Sequence, residues 1–105
     1  MLVVTRHRVP VDAASDFERT ASYALAALAS RPGHRDGWAG PALDDPTLWT
    51  VVSVWASVGD ARRALAAVTT RAALMPLMTS AFDEPSVFDV AVTSPGTSGS
   101  DAAGR

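Results

Sequence analysis

Cysteine, lysine, asparagine, glutamine and isoleucine are all absent from this chain of 105 residues. Without cysteine, the protein has no disulfide framework, no thiolate nucleophile and no cysteine-ligated zinc or iron–sulfur site. Without lysine, every cationic side chain apart from the two histidines is an arginine. We interpret this composition, rich in alanine, arginine and valine, as a bias of the source genome and not as a functional signal.

The chain also lacks a basic cluster and a long apolar run. Its formal net charge is −2, which argues against a nucleic acid or an anionic membrane as a partner. No apolar stretch approaches the roughly 18 residues needed to cross a bilayer. The segment Met1 to Arg6 lacks the features of a signal peptide. We therefore expect a cytoplasmic protein with no membrane partner.

Hydrophobic residues make up 48% of the chain and charged residues 19%, which indicates a packed globular domain. The length fits one domain with a single core. Residues 1–92 form this predicted domain. Residues 93–105 are rich in Ser, Gly and Thr, and we expect them to be a disordered tail.

The first half of the predicted domain is a β-α-β unit. β-branched residues over 2–9 predict a strand, and apolar residues at helical spacing predict a helix capped by Asp12 or Ser15. The segment Arg31–Gly33 ends this helix. Residues 34–43 then predict a weaker strand, interrupted by glycine.

The second half repeats this order. A turn at Asp44–Pro46 leads into the strongest predicted strand, 48–55. Ser57 and Asp60 then resemble a capping box at the start of a second helix. The remaining predicted features are an apolar helix face with Ala61, Leu65 and Val68, a short separate helix over 71–79 interrupted by Pro76, and a last strand over 87–92.

Two β-α-β units in about ninety residues predict an α+β fold of the ferredoxin-like βαββαβ type, with both helices on one face of an antiparallel four-stranded sheet. The uncovered face of such a sheet is normally polar. The strand 48–55 is apolar on both faces, with Trp49, Val51, Ser53 and Trp55 on one and Leu48, Thr50, Val52 and Val54 on the other. We therefore expect an identical chain to bury the second face in a homodimer.

Several segments carry a resemblance to a known family. Val3–Val9, Arg31–Gly37 and Leu43–Pro46 occur in order before a strand that closes on Trp55–Val58. In this order and spacing, residues 1–92 resemble the antibiotic biosynthesis monooxygenase domain family, whose members form dimeric α/β barrels. The strand-end Trp with its following Ser is the sharp motif. The resemblance implies a pocket between the helices and the sheet of each subunit.

Members of this family oxidise aromatic polyketides without metal or flavin, or degrade haem. By spacing, the places of the haem-degrading Asn, Trp and His hold His7, Ala64 and Leu74, so haem degradation is not expected. The quinol oxygenases use Asn, Trp, Tyr and Arg, whereas this chain has no Asn, and Tyr23 lies on the first helix. The resemblance implies a monooxygenase without cofactor or metal that acts on a small aromatic, quinol- or polyketide-like substrate.

His7 is the candidate catalytic residue. It shares a strand face with Val3 and Thr5. The resemblance to the family implies that this face points toward the pocket. A neutral imidazole can remove a proton from a phenol or an acidic C–H group at neutral pH, and the resulting anion can pass one electron to O2. The alternative is that His7 only forms a hydrogen bond to a neighbour near the strand end.

Seven residues are candidates for substrate binding: Thr5, His34, Trp38, Trp55, Leu74, Met78 and Phe82. His34 shares parity with Asp36 and Trp38, and is either oriented by Asp36 or a solvated turn residue. Trp38 and Trp55 provide aromatic walls, although a strand-end Trp such as Trp55 more commonly anchors a helix. The flexible stretch 74–82 forms a lid or a pocket wall, or else it is a short helix that closes the core.

Two other functions fit the same predicted pocket. One is a non-catalytic dimer that binds or senses a small ligand, and the other is a cyclase or isomerase that transfers protons without oxygen. Consumption of O2 distinguishes the oxygenase, binding without turnover the sensor, and anaerobic turnover the cyclase or isomerase.

Overall fold

The computed structural model describes residues 1–95, which form two layers with the helices on one face of a four-stranded sheet. In chain order the elements are β1 (Leu2–Arg8), a short 3-10 helix (Val11–Ala13), α1 (Ala14–Ala29), β2 (His34–Ala42), β3 (Asp45–Trp55), α2 (Val58–Ala66), α3 (Val68–Met78) and β4 (Val87–Phe88).

The strands lie in the order β2-β3-β1-β4, and each neighbouring pair is antiparallel. The first and third strands therefore occupy the centre of the sheet, and helices connect each central strand to an edge strand. This is the ferredoxin-like arrangement, and the predicted fold is confirmed. The second connection contains two helices, α2 and α3, where a minimal β-α-β unit has one.

The core lies between the helices and the sheet face that they cover, which we call the inner face. Four residues of β3 on this face are buried: Trp49, Val51, Ser53 and Trp55. Four residues of α1 are buried against them: Phe17, Ala21, Ala24 and Leu28. The alternate residues of β3 are half-exposed or exposed. The predicted division of this strand into two faces is therefore confirmed.

The last strand is shorter than predicted. β4 contains only Val87–Phe88, which pairs with the first two residues of β1, in place of the predicted 87–92. The segment before β4 already lies along β1, where the Phe82 N–H donates to the Arg6 carbonyl at 2.8 Å. Because β4 meets β1 where β1 begins, the chain beyond it has no strand residue left to pair with.

The helix ends follow the predicted caps in part. Ser57 caps α2 as predicted, because its Oγ accepts a hydrogen bond from the Asp60 N–H at 3.1 Å. Neither Asp12 nor Ser15 caps α1, which has no side-chain cap. The 3-10 helix in front of α1 supplies backbone hydrogen bonds instead.

α2 and α3 divide earlier than predicted. α3 begins at Val68, because the backbone of Ala67 is extended (φ −67°, ψ 136°) and breaks the preceding helix. Val68 therefore does not share a buried face with α2, and its side chain is 82% exposed. Pro76 lies within α3 without ending it, since a missing N–H in the last turn removes only one hydrogen bond.

The described part of the predicted tail is short. Residues 93–95 have no regular secondary structure, and the rest of the predicted tail, 96–105, lies outside the described residues. No helix within residues 1–95 combines the length and the apolar character needed to cross a membrane.

Candidate functional site

A cavity of about 620 Å³ lies between the inner face of the sheet and the helices, within the range of roughly 300–1,000 Å³ that is usual for small-molecule sites. Its sheet side consists of Val3 and Thr5 of β1 with Val51 and Ser53 of β3. The other lining residues are Leu28, Leu65, Val68, Arg71, Ala72, Leu74, Met75, Leu77, Met78 and Ser86. This lining is apolar except for three hydroxyl groups and one guanidinium.

Thr5 connects the cavity to a buried histidine. Its Oγ1 lies 2.7 Å from Nε2 of His7, and the Nδ1 of the same ring lies 3.1 Å from the Ser80 Oγ. The ring itself is 0% exposed and does not line the cavity. A chain of polar groups therefore begins in the cavity and continues behind its wall.

Aromatic packing fixes the position of the His7 ring. Its centroid lies 5.0 Å from that of Phe17, and its cross-strand neighbour on β3 is Trp49. Burial lowers the pKa of His7 below its ordinary value of 6.5, and the nearby backbone of Leu77 offsets part of this effect. The imidazole is therefore neutral at pH 7 and can accept a proton.

Three of the seven predicted binding residues line the cavity: Thr5, Leu74 and Met78. Trp55 does not, because it is 2% exposed in the core, where its Nε1 donates to the Ser53 Oγ at 2.8 Å. His34 packs edge-on against Trp55, at 5.2 Å between ring centroids. These two aromatic residues stabilise the end of the sheet outside the cavity.

The predicted parity of β2 is wrong. His34 pairs with Trp55 and Asp36 pairs with Val54, so the register shifts between the two β2 residues. This bulge places His34 on the inner face and Asp36 on the opposite one, so Asp36, one of the two alternatives for His34, does not orient the imidazole. A bulge depends on pairing with a neighbouring strand, which the sequence of β2 alone does not specify.

Trp38 and Phe82 lie apart from the cavity. Trp38 is 57% exposed and pairs with Val52, so it follows Asp36 onto the uncovered face of the sheet. Trp38 also borders a separate groove of about 430 Å³ between α1 and β2. Phe82 lies under the guanidinium groups of Arg6 and Arg8, at 5.1 and 5.8 Å from its ring centroid.

Arg71 is the cavity residue that sequence reasoning missed. From the sequence this arginine is most simply a solvated residue on a helix surface, and its side chain is indeed exposed. It is nevertheless the only ionisable residue that lines the cavity among those the structure describes. The sequence could have indicated this position, because Arg71 lies two helical turns before the candidate Met78, and residues about seven apart share a helix face.

Solved structures share the fold of this chain. One is SnoaB, described as a cofactor-independent oxygenase from Streptomyces nogalater, in a variant with one substitution. It matches with a TM-score of 0.79 and 24% identity, covering 90% of this chain and 96% of SnoaB. A proposed antibiotic biosynthesis monooxygenase from Nitrosomonas europaea has a TM-score of 0.64 and 15% identity, covering 80% and 87% of the two chains.

A second proposed antibiotic biosynthesis monooxygenase, from Deinococcus radiodurans, has a TM-score of 0.64 and 13% identity, covering 86% of this chain and 98% of its own. No family model and no curated protein matches this chain. The resemblance that the sequence indicates is thus confirmed at the level of the fold.

Proposed function

We propose that this protein is a cofactor-independent monooxygenase that oxidises a small aromatic, quinol- or polyketide-like substrate in the 620 Å³ cavity, and that it works as a cytoplasmic homodimer. The observation that carries the proposal is an apolar cavity with Thr5 in its wall. The hydroxyl of Thr5 is hydrogen-bonded to the buried, neutral imidazole of His7. The fold shared with SnoaB, which is described as a cofactor-independent oxygenase, supports it further.

The proposed reaction needs no co-substrate other than O2. A base removes a proton from a phenol or from an acidified ring CH2 group, and the resulting anion gives one electron to O2. Superoxide and the substrate radical then combine to form a peroxide. Loss of water breaks the O–O bond and the remaining C–H bond, so that CH2 and O2 become C=O and H2O.

The cavity fits this chemistry in polarity as well as in volume. Its apolar walls suit a flat aromatic ring, and the flexible Met75 and Met78 side chains adapt to irregular ring edges. Arg71, which belongs to the lining, would supply a cation to stabilise the negative charge of a phenolate.

Dimerisation would cover the sheet face opposite the helices, which we call the open face. Its apolar residues include Leu2, Val4, Trp38, Leu48, Val52, Val54 and Phe88. Burying a Val or Leu side chain completely contributes about 1.5–3 kcal/mol. A second copy of the chain supplies a complementary apolar face through closed two-fold symmetry, as in the dimeric barrels of the family that the sequence resembles.

One observation favours a second candidate function. His7 is completely buried, and Arg71 is the only ionisable residue lining the cavity among those described. A non-catalytic dimer that binds a small aromatic ligand would need no more than this lining. A cyclase or isomerase would use the same polar groups for proton transfer without oxygen.

The test measures O2 uptake with anthrone, a tricyclic compound with an acidified CH2 group, against the rate without enzyme. We expect one O2 consumed per anthrone and anthraquinone as the product. An Ala72→Trp variant, which fills the cavity from α3, should lose the activity, whereas Ala26→Trp on the exposed surface of α1 should keep it. Binding without O2 uptake would favour the binding protein, and anaerobic turnover would favour the cyclase or isomerase.

A further inference from the structure

We infer that Thr5 carries protons between a substrate in the cavity and His7, so that the buried imidazole acts as a base through a threonine hydroxyl. This inference rests on the proposed function and identifies the groups that would perform its first step. Thr5 would touch the substrate, and His7 would act through Thr5.

The directions of the hydrogen bonds follow from the available donors. Ser80 Oγ lies 3.2 Å from the carbonyl oxygen of Leu77. Because a carbonyl can only accept a hydrogen bond, the Ser80 hydroxyl must be the donor. Its hydrogen is therefore used, and Ser80 accepts from Nδ1 of His7 at 3.1 Å. With its proton on Nδ1, the neutral ring has a free lone pair on Nε2. The Thr5 hydroxyl, 2.7 Å away, donates to that lone pair.

The surroundings of the ring favour the neutral form from which this transfer starts. The groups that approach it from the neighbouring elements are Thr5 on β1, Phe17 on α1, Trp49 on β3, and the Leu77 backbone and Ser80 at the end of α3, and none of them is charged. Arg6 and Arg8 alternate with His7 along β1, so they lie on the open face, where they pair with Glu84 and Asp45. Burial thus keeps the pKa of His7 low without an opposing charge.

The step balances as a double proton transfer. The C–H or O–H bond of the substrate breaks, and its proton bonds to Thr5 Oγ1 while the original hydroxyl proton moves to Nε2 of His7. The products are a substrate anion, an intact Thr5 hydroxyl and a His7 imidazolium whose Nδ1–H still donates its hydrogen bond to Ser80. The same path in reverse returns the proton to the oxygen that leaves as water.

The first test requires no substrate. Long-range ¹H–¹⁵N NMR of a His34→Gln variant, in which His7 is the only remaining histidine, reports which ring nitrogen carries the proton at pH 7.5. We expect protonated Nδ1 and unprotonated Nε2. A proton on Nε2 would overturn the inference, because that nitrogen could not then accept from Thr5.

The second test follows proton removal separately from oxidation. In anaerobic D2O, the wild type should accelerate exchange of the anthrone CH2 protons. Thr5→Val, which replaces the hydroxyl with a methyl group of similar size, should lower this exchange about 100-fold, the lower end of general acid–base effects. Thr5→Ser should restore most of it. Thr20→Val, at a half-exposed position on α1 outside the cavity lining, is the matched control and should behave as the wild type.

The outcomes separate the inference from the proposed function. Exchange that depends on Thr5, without any O2 uptake, supports the proton path and refutes the oxygenase. O2 uptake that Thr5→Val leaves unchanged supports the oxygenase and refutes the proton path. If neither exchange nor O2 uptake exceeds the uncatalysed rate, both are refuted.

Discussion

At the scale of single residues, His7 combines complete burial with two hydrogen bonds to hydroxyl groups. The sequence analysis left open whether this histidine is a base or only a hydrogen-bonding residue. The structure shows the hydrogen bonds directly, and the connection to the cavity through Thr5 makes both descriptions compatible. Its titration should therefore influence the stability of the fold as well as the proposed activity.

We expect the free energy of unfolding to fall as the pH decreases below 6.5, the ordinary pKa of histidine. Because the pKa of His7 is lowered in the folded state, the unfolded chain binds the proton first, and stability is lost from that pH downward until the folded-state pKa is reached. Urea unfolding between pH 7.5 and pH 5.5 measures this loss. Hydrogen bonds from Arg6 hold the pKa of Glu84 below 4.5, so loss from this carboxylate begins only at lower pH.

One variant tests whether His7 is responsible. His7→Gln should show a smaller decline in stability over this pH range, whatever its stability at pH 7.5. An equal decline in His7→Gln and the wild type would contradict the assignment.

At the scale of secondary-structure elements, the turn between α1 and β2 positions the edge of the sheet. Gly33 has a φ of +87°, the only positive φ among the described residues, and its backbone carbonyl accepts from the Ala56 N–H at 2.8 Å. A Cβ atom at Gly33 would overlap the side chain of Asp60 at the start of α2. Glycine is therefore required both for the left-handed backbone and for the close approach of α2.

Gly33→Ala should destabilise the protein by about 2 kcal/mol or more, because the left-handed conformation costs about 1–2 kcal/mol for an L-residue and the overlap adds to it. Gly59→Ala in α2 is a matched control of opposite sign. Its Cβ would meet only the flexible end of Arg63, and alanine in a helix is favoured by about 0.5–1 kcal/mol. Chemical denaturation measures both, and equal stabilities would contradict the role of the turn.

At the scale of the whole molecule, the open face is divided between two kinds of surface. One half is apolar, with Val52 between Val4 on β1 and Trp38 on β2. The other half carries Arg6 and Arg8, both exposed. The apolar half is the part that a second chain would cover, and the charged half fixes its boundary.

We expect the wild type to be a dimer at micromolar concentration and Val52→Asp to be a monomer, because a carboxylate at the centre of the apolar half would be buried without a partner. Analytical ultracentrifugation measures the mass, and circular dichroism checks that the variant is folded. Tyr23→Asp, at a 70% exposed position on α1, is the control and should remain dimeric. A folded wild-type monomer would refute the proposed dimer.

Local patterns in the sequence determined much of this fold. The alternation along β3 was assigned correctly to two faces, and the Ser57 cap was located at the start of α2. These features depend on residues close together in the chain, so periodicity and hydrogen-bonding groups are sufficient to predict them. The family resemblance pointed to Thr5, and the apolar stretch around Pro76 pointed to Leu74 and Met78; all three line the cavity.

Only the tertiary structure decided where the remaining candidates lie. The bulge after His34 separates this histidine from Asp36, and the path of the chain before β4 places Phe82 under two arginines, away from the cavity. Both depend on pairing between segments that are distant in sequence. The sequence by itself thus determined which residues of β3 alternate and where α2 begins, whereas strand register, which is set by long-range hydrogen bonds, decided which side chains meet.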